Sequence, residues 1–181
     1  MFGKLFSAGS RRHYLAIAGI ATLFNFFALY LQHIEGLPPC VTCIDIRVGL
    51  WGVTLFSLLA ATTIRPLLMA WAIGVIAAFC YVGNMIYGSM EELYWSSGLF
   101  ASCNLRPAIA DYLPVDEWLP SMFAVKGMCG KTFWTIAGIE LEVVQSTFYA
   151  ISALVVFHGI GIVNGVFQRF AKPIPPGSII D

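Results

Sequence analysis

The chain has 181 residues, enough for one domain, and 59% of them are hydrophobic while only 11% are charged. Soluble domains carry about 25% charged residues, so a mean hydropathy of +0.80 excludes a water-soluble globule and reads as an integral membrane protein. Net charge is zero, which gives no argument for a nucleic-acid partner.

In chain order, Met1 to His13 is short and carries Lys4, Arg11 and Arg12. The apolar run from Tyr14 to Leu31 is long enough to cross a bilayer, which takes roughly 20 residues. It lacks a small-residue cleavage site, so it reads as a retained helix rather than a signal peptide. A loop over 32–43 holds Pro38-Pro39-Cys40-Val41-Thr42-Cys43, and a second span follows over about 44–62 with Arg47 near its first turn. Thr63-Ile64-Arg65 leads to a third span over about 66–87, where Pro66 suits a first helical turn. A long polar and aromatic loop over about 88–142 precedes a fourth span over about 143–167 and a Pro-rich tail. Within the long loop, Val115, Trp118, Leu119, Met122 and Phe123 recur at helical spacing. Pro120 should interrupt that helix at Leu119, which predicts two short helical pieces. They lie on the membrane surface with Trp118 at headgroup depth, or else form a small core within the loop. The expected architecture is an all-α, four-helix transmembrane bundle forming one domain over 1–181, with two loops on its outer side.

Orientation follows from the basic residues. Lys4, Arg11, Arg12, Arg65, Arg169 and Lys172 share one side of a four-span arrangement, which is therefore cytoplasmic, with both termini. Nine of the ten acidic residues lie in or beside the two outer loops. Of five cysteines, Cys40, Cys43, Cys103 and Cys129 fall together on the outer side, where disulfides persist. Cys80 is expected to be buried in the third span as a small packing residue. Asn25 and His158, also within spans, are expected to hydrogen-bond between helices.

A Cys-x-x-Cys pair serves zinc sites as well as redox sites. A four-thiolate site from Cys40, Cys43, Cys103 and Cys129 would satisfy zinc, but an oxidising compartment argues against it. Redox chemistry needs a thiolate. Cys40 and Cys43 stand where the second span begins, and a helix N-terminus favours negative charge. Arg47, four residues after Cys43, shares its helix face and should lower the Cys43 pKa. A charge at that depth is usually functional; snorkelling to headgroups or pairing with Asp45 are the alternatives. Cys103 and Cys129 by themselves could be a structural staple of the outer loop.

These residues resemble the DsbB family of bacterial inner-membrane thiol oxidases. The resemblance rests on Gln32-His33 ahead of Pro39-Cys40-Val41-Thr42-Cys43 and Arg47, on Phe100-Ala101-Ser102-Cys103, and most specifically on Leu113-Pro114-Val115-Asp116-Glu117-Trp118-Leu119-Pro120. Phe123, Gly127, Cys129, Trp134 and Gly138-Ile139-Glu140 complete it. It implies redox disulfides Cys40–Cys43 and Cys103–Cys129, and a periplasmic DsbA-like dithiol oxidase as partner. The partner's reactive thiolate would attack Cys103, with Cys129 as leaving thiol. Cys43 and Arg47 would face a membrane quinone, ubiquinone or menaquinone. The chain departs from the family's pattern near that quinone site: Tyr87 to Tyr94 holds no His or Gln, Ile46 stands where Glu is usual, and Leu141-Glu142 where Met-Pro is usual. Two readings compete with a quinone-linked oxidase: a non-enzymatic protein with disulfide-stapled loops and a metal-binding membrane module. Within the oxidase reading stands a second type, a quinone-linked enzyme of the vitamin K epoxide reductase type. In the last, the Cys-x-x-Cys comes late in the chain, whereas here it comes early.

Overall fold

The computed structural model describes residues 10–63, 65–90, 106–127, 133–136 and 139–170. Four long helices dominate: α1 (Arg11–His33), α2 (Val41–Thr62), α3 (Arg65–Met90) and α6 (Val143–Phe170). Each contains a stretch long and apolar enough to cross a membrane, which makes the protein a four-helix membrane bundle. Between α3 and α6 lie a 3-10 turn (Ala108–Asp111), the one-turn helices α4 (Val115–Trp118) and α5 (Pro120–Phe123), and two strands, β1 (Phe133–Ile136) and β2 (Ile139–Glu142).

The expected break at Leu119 is present. Leu119 is non-helical (φ −136°, ψ 66°), and Pro120 opens α5 at a position that needs no backbone N–H. Trp118 and Leu119 point outward, while Phe123 is buried against the bundle. The antiparallel pair β1–β2 is an addition to the expected loop, with Phe133 opposite Glu142 and Ile136 opposite Ile139. A sequence signal existed: Phe133-Trp134-Thr135-Ile136 is wholly β-branched and aromatic, Ile139-Glu140-Leu141-Glu142 alternates apolar and charged residues, and two residues, one of them glycine, separate them.

α2 is the central helix, packed between α1 and α3, with α6 against α3 and α1. Lipid is as apolar as leucine, so close packing and interhelical hydrogen bonds hold such a bundle together, with no hydrophobic drive between helices. Ile17, Ala21, Leu50, Val53, Val75, Val82 and Leu154 fill its centre. Thr22 and Thr54 meet across α1 and α2 at 3.4 Å between hydroxyl oxygens. Near the start of α1, His13 Nε2 lies 3.1 Å from His158 Nδ1, tying α1 to α6. His158 is thus the helix-to-helix hydrogen-bonding residue expected. Two other expectations fail. Cys80 is exposed on the outer face of α3 instead of packed inside; nothing in the run around it distinguished the lipid-facing side of a uniformly apolar helix. Asn25 is fully buried, yet neither of its side-chain polar atoms has a hydrogen-bond partner among the described residues.

Candidate functional site

The site is built at the end of the bundle where α1 stops and α2 starts. After α1, Gly36 takes a left-handed conformation (φ 69°) that glycine adopts without strain, turning the chain back. Pro38 and Pro39 then hold it extended up to Cys40, the N-cap of α2. Cys40 Sγ accepts the Cys43 backbone N–H at 3.4 Å and lies 2.8 Å from Cys43 Sγ, both residues being free thiols. The stabilisation expected at Cys43 from the helix end therefore falls on Cys40, because the N-cap side chain is the one that meets the unpaired N–H groups of the first turn. The hydrogen bond with Cys43 pulls the Cys40 thiol down to about 7, against the opposing effect of burial. Sequence spacing could not separate the two sulfurs, since both stand at the same helix end.

Arg47 is buried one turn further along α2. Its Nη1 donates to Gln32 Oε1 at 2.7 Å and to the Met122 carbonyl, and its Nη2 reaches the Ala28 carbonyl at 3.5 Å. Gln32 completes a clamp, its Nε2 donating to the Ser121 carbonyl at 3.0 Å. The guanidinium therefore neither snorkels outward nor pairs with Asp45. Asp45 is occupied elsewhere: its carboxylate accepts the Tyr81 hydroxyl at 3.0 Å and the backbone N–H groups of Ala108 and Ile109 at 3.2 and 3.3 Å.

The long loop is thus docked on the bundle at three points. Residues 108–109 sit on Asp45 and residues 121–122 on the Gln32–Arg47 clamp. At the third, the N–H groups of Lys126 and Gly127 donate to the Pro39 carbonyl at 3.1 and 3.0 Å. Gly127 must be glycine there, because a Cβ would stand 2.5 Å from the Pro38 carbonyl oxygen. Cys103 and Cys129 lie outside the described residues. The chain two residues before Cys129 is nevertheless hydrogen-bonded to the residue just before Cys40. Among the described residues, no group of three or more His, Cys, Asp or Glu is placed to hold a metal ion.

Beside the thiols lies a cavity of about 270 Å³, walled by α1, the start of α2 and the first turns of α6. Phe24, Leu31, Ile46, Leu50 and Ile151 make its lining mainly apolar; Cys40, Cys43, Arg47 and Asn25 are among its few polar groups. Arg47 and the thiols were legible in the sequence. Gln32 and Asp45 as clamps, and Asn25 as a lining residue, were not, because each acts on a partner distant in the chain.

Fold and site together define a multi-pass membrane protein that carries a vicinal thiol pair and a buried guanidinium on the wall of one apolar cavity. The family model described as "Disulfide bond formation protein DsbB" matches residues 10–159. The chain is similar to "Disulfide bond formation protein B" of Yersinia pestis (strain Pestoides F), 35% identical over 131 residues, 72% of this chain and 74% of the relative. It is 31% identical over 146 residues to "Disulfide bond formation protein B 2" of Pseudomonas aeruginosa, covering 78% of this chain and 83% of the relative. A third relative, "Disulfide bond formation protein B" of Pseudoalteromonas translucida, is 29% identical over 154 residues. The chain belongs to the DsbB family. It is a multi-pass bacterial membrane protein of disulfide bond formation, a disulfide-forming oxidoreductase.

Proposed function

We propose that the protein re-oxidises a periplasmic DsbA-like dithiol protein and delivers the electrons to a membrane quinone, from the inner membrane, with both termini in the cytoplasm. The observation that carries this reading is the shared cavity wall, which presents a vicinal thiol pair and a buried cation to an apolar space. The residues fit a quinone. The cavity, about 270 Å³, lies just below the roughly 300–1,000 Å³ range of ligand sites, suiting a ring more than a long prenyl tail, and its lining is mainly apolar. Arg47 Nε has no partner among the described residues. A bound quinone supplies a two-electron, two-proton sink and leaves as the quinol.

The chain's own part is thiol–disulfide exchange, which proceeds by thiolate attack through mixed disulfides. A partner thiolate attacks Cys103 of the Cys103–Cys129 disulfide and releases Cys129. The partner's second thiol then displaces Cys103, leaving the partner oxidised and Cys103 and Cys129 as thiols. Those thiols reduce Cys40–Cys43 by the same two exchanges, so one electron pair passes from pair to pair. The dock of Lys126 and Gly127 on Pro39 supports this transfer, because it ties the approach to Cys129 beside Cys40. Cys43 faces the cavity with Arg47, whose fixed positive charge favours negative charge on an oxygen placed there. The N-cap contact and the Cys43 hydrogen bond hold Cys40 as the thiolate that re-forms the Cys40–Cys43 bridge.

The test is turnover of the purified protein with a reduced DsbA-like dithiol protein and a short-chain quinone, without oxygen. One quinone should be consumed per disulfide formed. Dithiol oxidation that ignores added quinone refutes the quinone assignment. Disulfides with potentials below about −300 mV and no exchange would identify them as structural staples.

A further inference from the structure

The Arg47 guanidinium lies against Ala28 and Gln32 of α1. Asn25 precedes these residues by three and seven positions, so all three share one helix face. At 1.5 Å per residue, Asn25 stands roughly 4.5 to 10 Å further into the bundle along the same wall. It lines the cavity, is 0% exposed, and has neither Oδ1 nor Nδ2 hydrogen-bonded among the described residues. An amide buried without partners costs about 1–3 kcal/mol by protein mutational data.

We infer that Asn25 is the second polar anchor of the quinone ring, opposite Arg47. A para-quinone carries two carbonyl oxygens on opposite edges, and a single guanidinium at one end of an apolar slot serves one of them. The Asn25 Nδ2 group donates to the other oxygen. After reduction that oxygen bears a proton, and Oδ1 of the same amide accepts from it. A side chain with both a donor and an acceptor can therefore serve both redox states, accepting the quinol O–H that an arginine, donor only, cannot accept. This inference rests on the quinone reading above.

The test uses the full chain in detergent, with a short-chain ubiquinone carrying ¹³C at one carbonyl, and three readouts: tryptophan quenching for Kd, infrared carbonyl bands, and thermal unfolding. Both bound carbonyl bands of the wild type should be displaced from their free positions. In Asn25→Leu, one band should return to its free position, and Kd should rise about threefold to tenfold, the loss of one neutral hydrogen bond. Arg47→Ala should release the other band. Without quinone, Asn25→Leu should unfold at a higher temperature than wild type, because an unsatisfied amide has gone. Wild-type protein with only one displaced band overturns the role of Asn25 whatever the variants do. So do equal Kd values and bands in wild type, Asn25→Leu and Asn25→Ala, and in both cases the quinone site itself stands. Absence of saturable quinone binding by wild type overturns both readings.

Discussion

Gly127→Ala perturbs most directly the Pro39 dock on which the proposed transfer between the thiol pairs relies. The added Cβ would stand 2.5 Å from the Pro38 carbonyl oxygen, whereas ordinary contact begins at 3.4 Å. The obstacle is backbone held by two successive prolines, so the loop, not the obstacle, must move, by about 0.9 Å. That movement takes the Lys126 and Gly127 bonds to Pro39, now 3.1 and 3.0 Å, beyond hydrogen-bond range. Each is worth about 0.5–1.5 kcal/mol, so undocking becomes easier by about 1–3 kcal/mol. The docked population then falls about 5- to 150-fold relative to the undocked one. The assay is a single turnover of quinone-free protein with reduced partner, stopped in acid and mass-tagged at free thiols. Partner oxidation at Cys103 should keep its rate, while new thiols at Cys40 and Cys43 should appear at least fivefold more slowly. Lys126→Ala is the control: it removes an exposed side chain and leaves both backbone bonds in place. Equal transfer between pairs in Gly127→Ala and wild type would show that the Pro39 dock has no part in bringing the pairs together.

Arg47→Ala should cost about 2–3 kcal/mol in thermal or denaturant unfolding, because it leaves Gln32 Oε1 and the Met122 carbonyl without their donor, offset by release of a buried charge. It should also raise the apparent quinone KM, and Arg47→Lys should restore only part, being a point charge and not a planar fork; an unchanged KM in Arg47→Ala would remove Arg47 from the quinone site. Alkylation of the reduced protein at Cys40 should follow an inflection near pH 7, well below the ordinary thiol value of 9.0. Because the folded pKa is depressed, the thiolate and the stability it contributes are fully present above the ordinary value and are lost as pH falls through about 7. Cys43→Ala should move the inflection upward, and an inflection that stays put would exclude the hydrogen bond as its cause. Asp45→Asn leaves one oxygen to accept where two now serve Tyr81, Ala108 and Ile109, so the 106–112 segment should lose amide-exchange protection; protection equal to wild type would mean the carboxylate does not anchor the loop. Impermeant thiol reagents on reduced intact cells should reach Cys40, Cys43, Cys103 and Cys129 but not Cys80, and labelling only after lysis would reverse the proposed orientation.

Hydropathy alone determined four spans, because a bilayer demands a long uninterrupted apolar run whatever the neighbours are. The break at Leu119 was equally legible, since Pro120 acts through its own backbone. The thiols and Arg47 were visible because their spacing places them together on one helix end. The sequence could not say which sulfur caps α2, since that depends on the path Pro38 and Pro39 take into the helix. Nor could it show that Arg47 is held by Gln32 and the Met122 carbonyl, or that Asp45 serves the loop and not Arg47. Those choices join residues 15 to 75 positions apart. For the same reason, local pattern could not tell that His158 finds a partner on α1 while Asn25, in the same kind of apolar run, finds none among the described residues. Two helices that read alike along their length differ only in what the bundle turns toward each residue, and that is decided by tertiary packing.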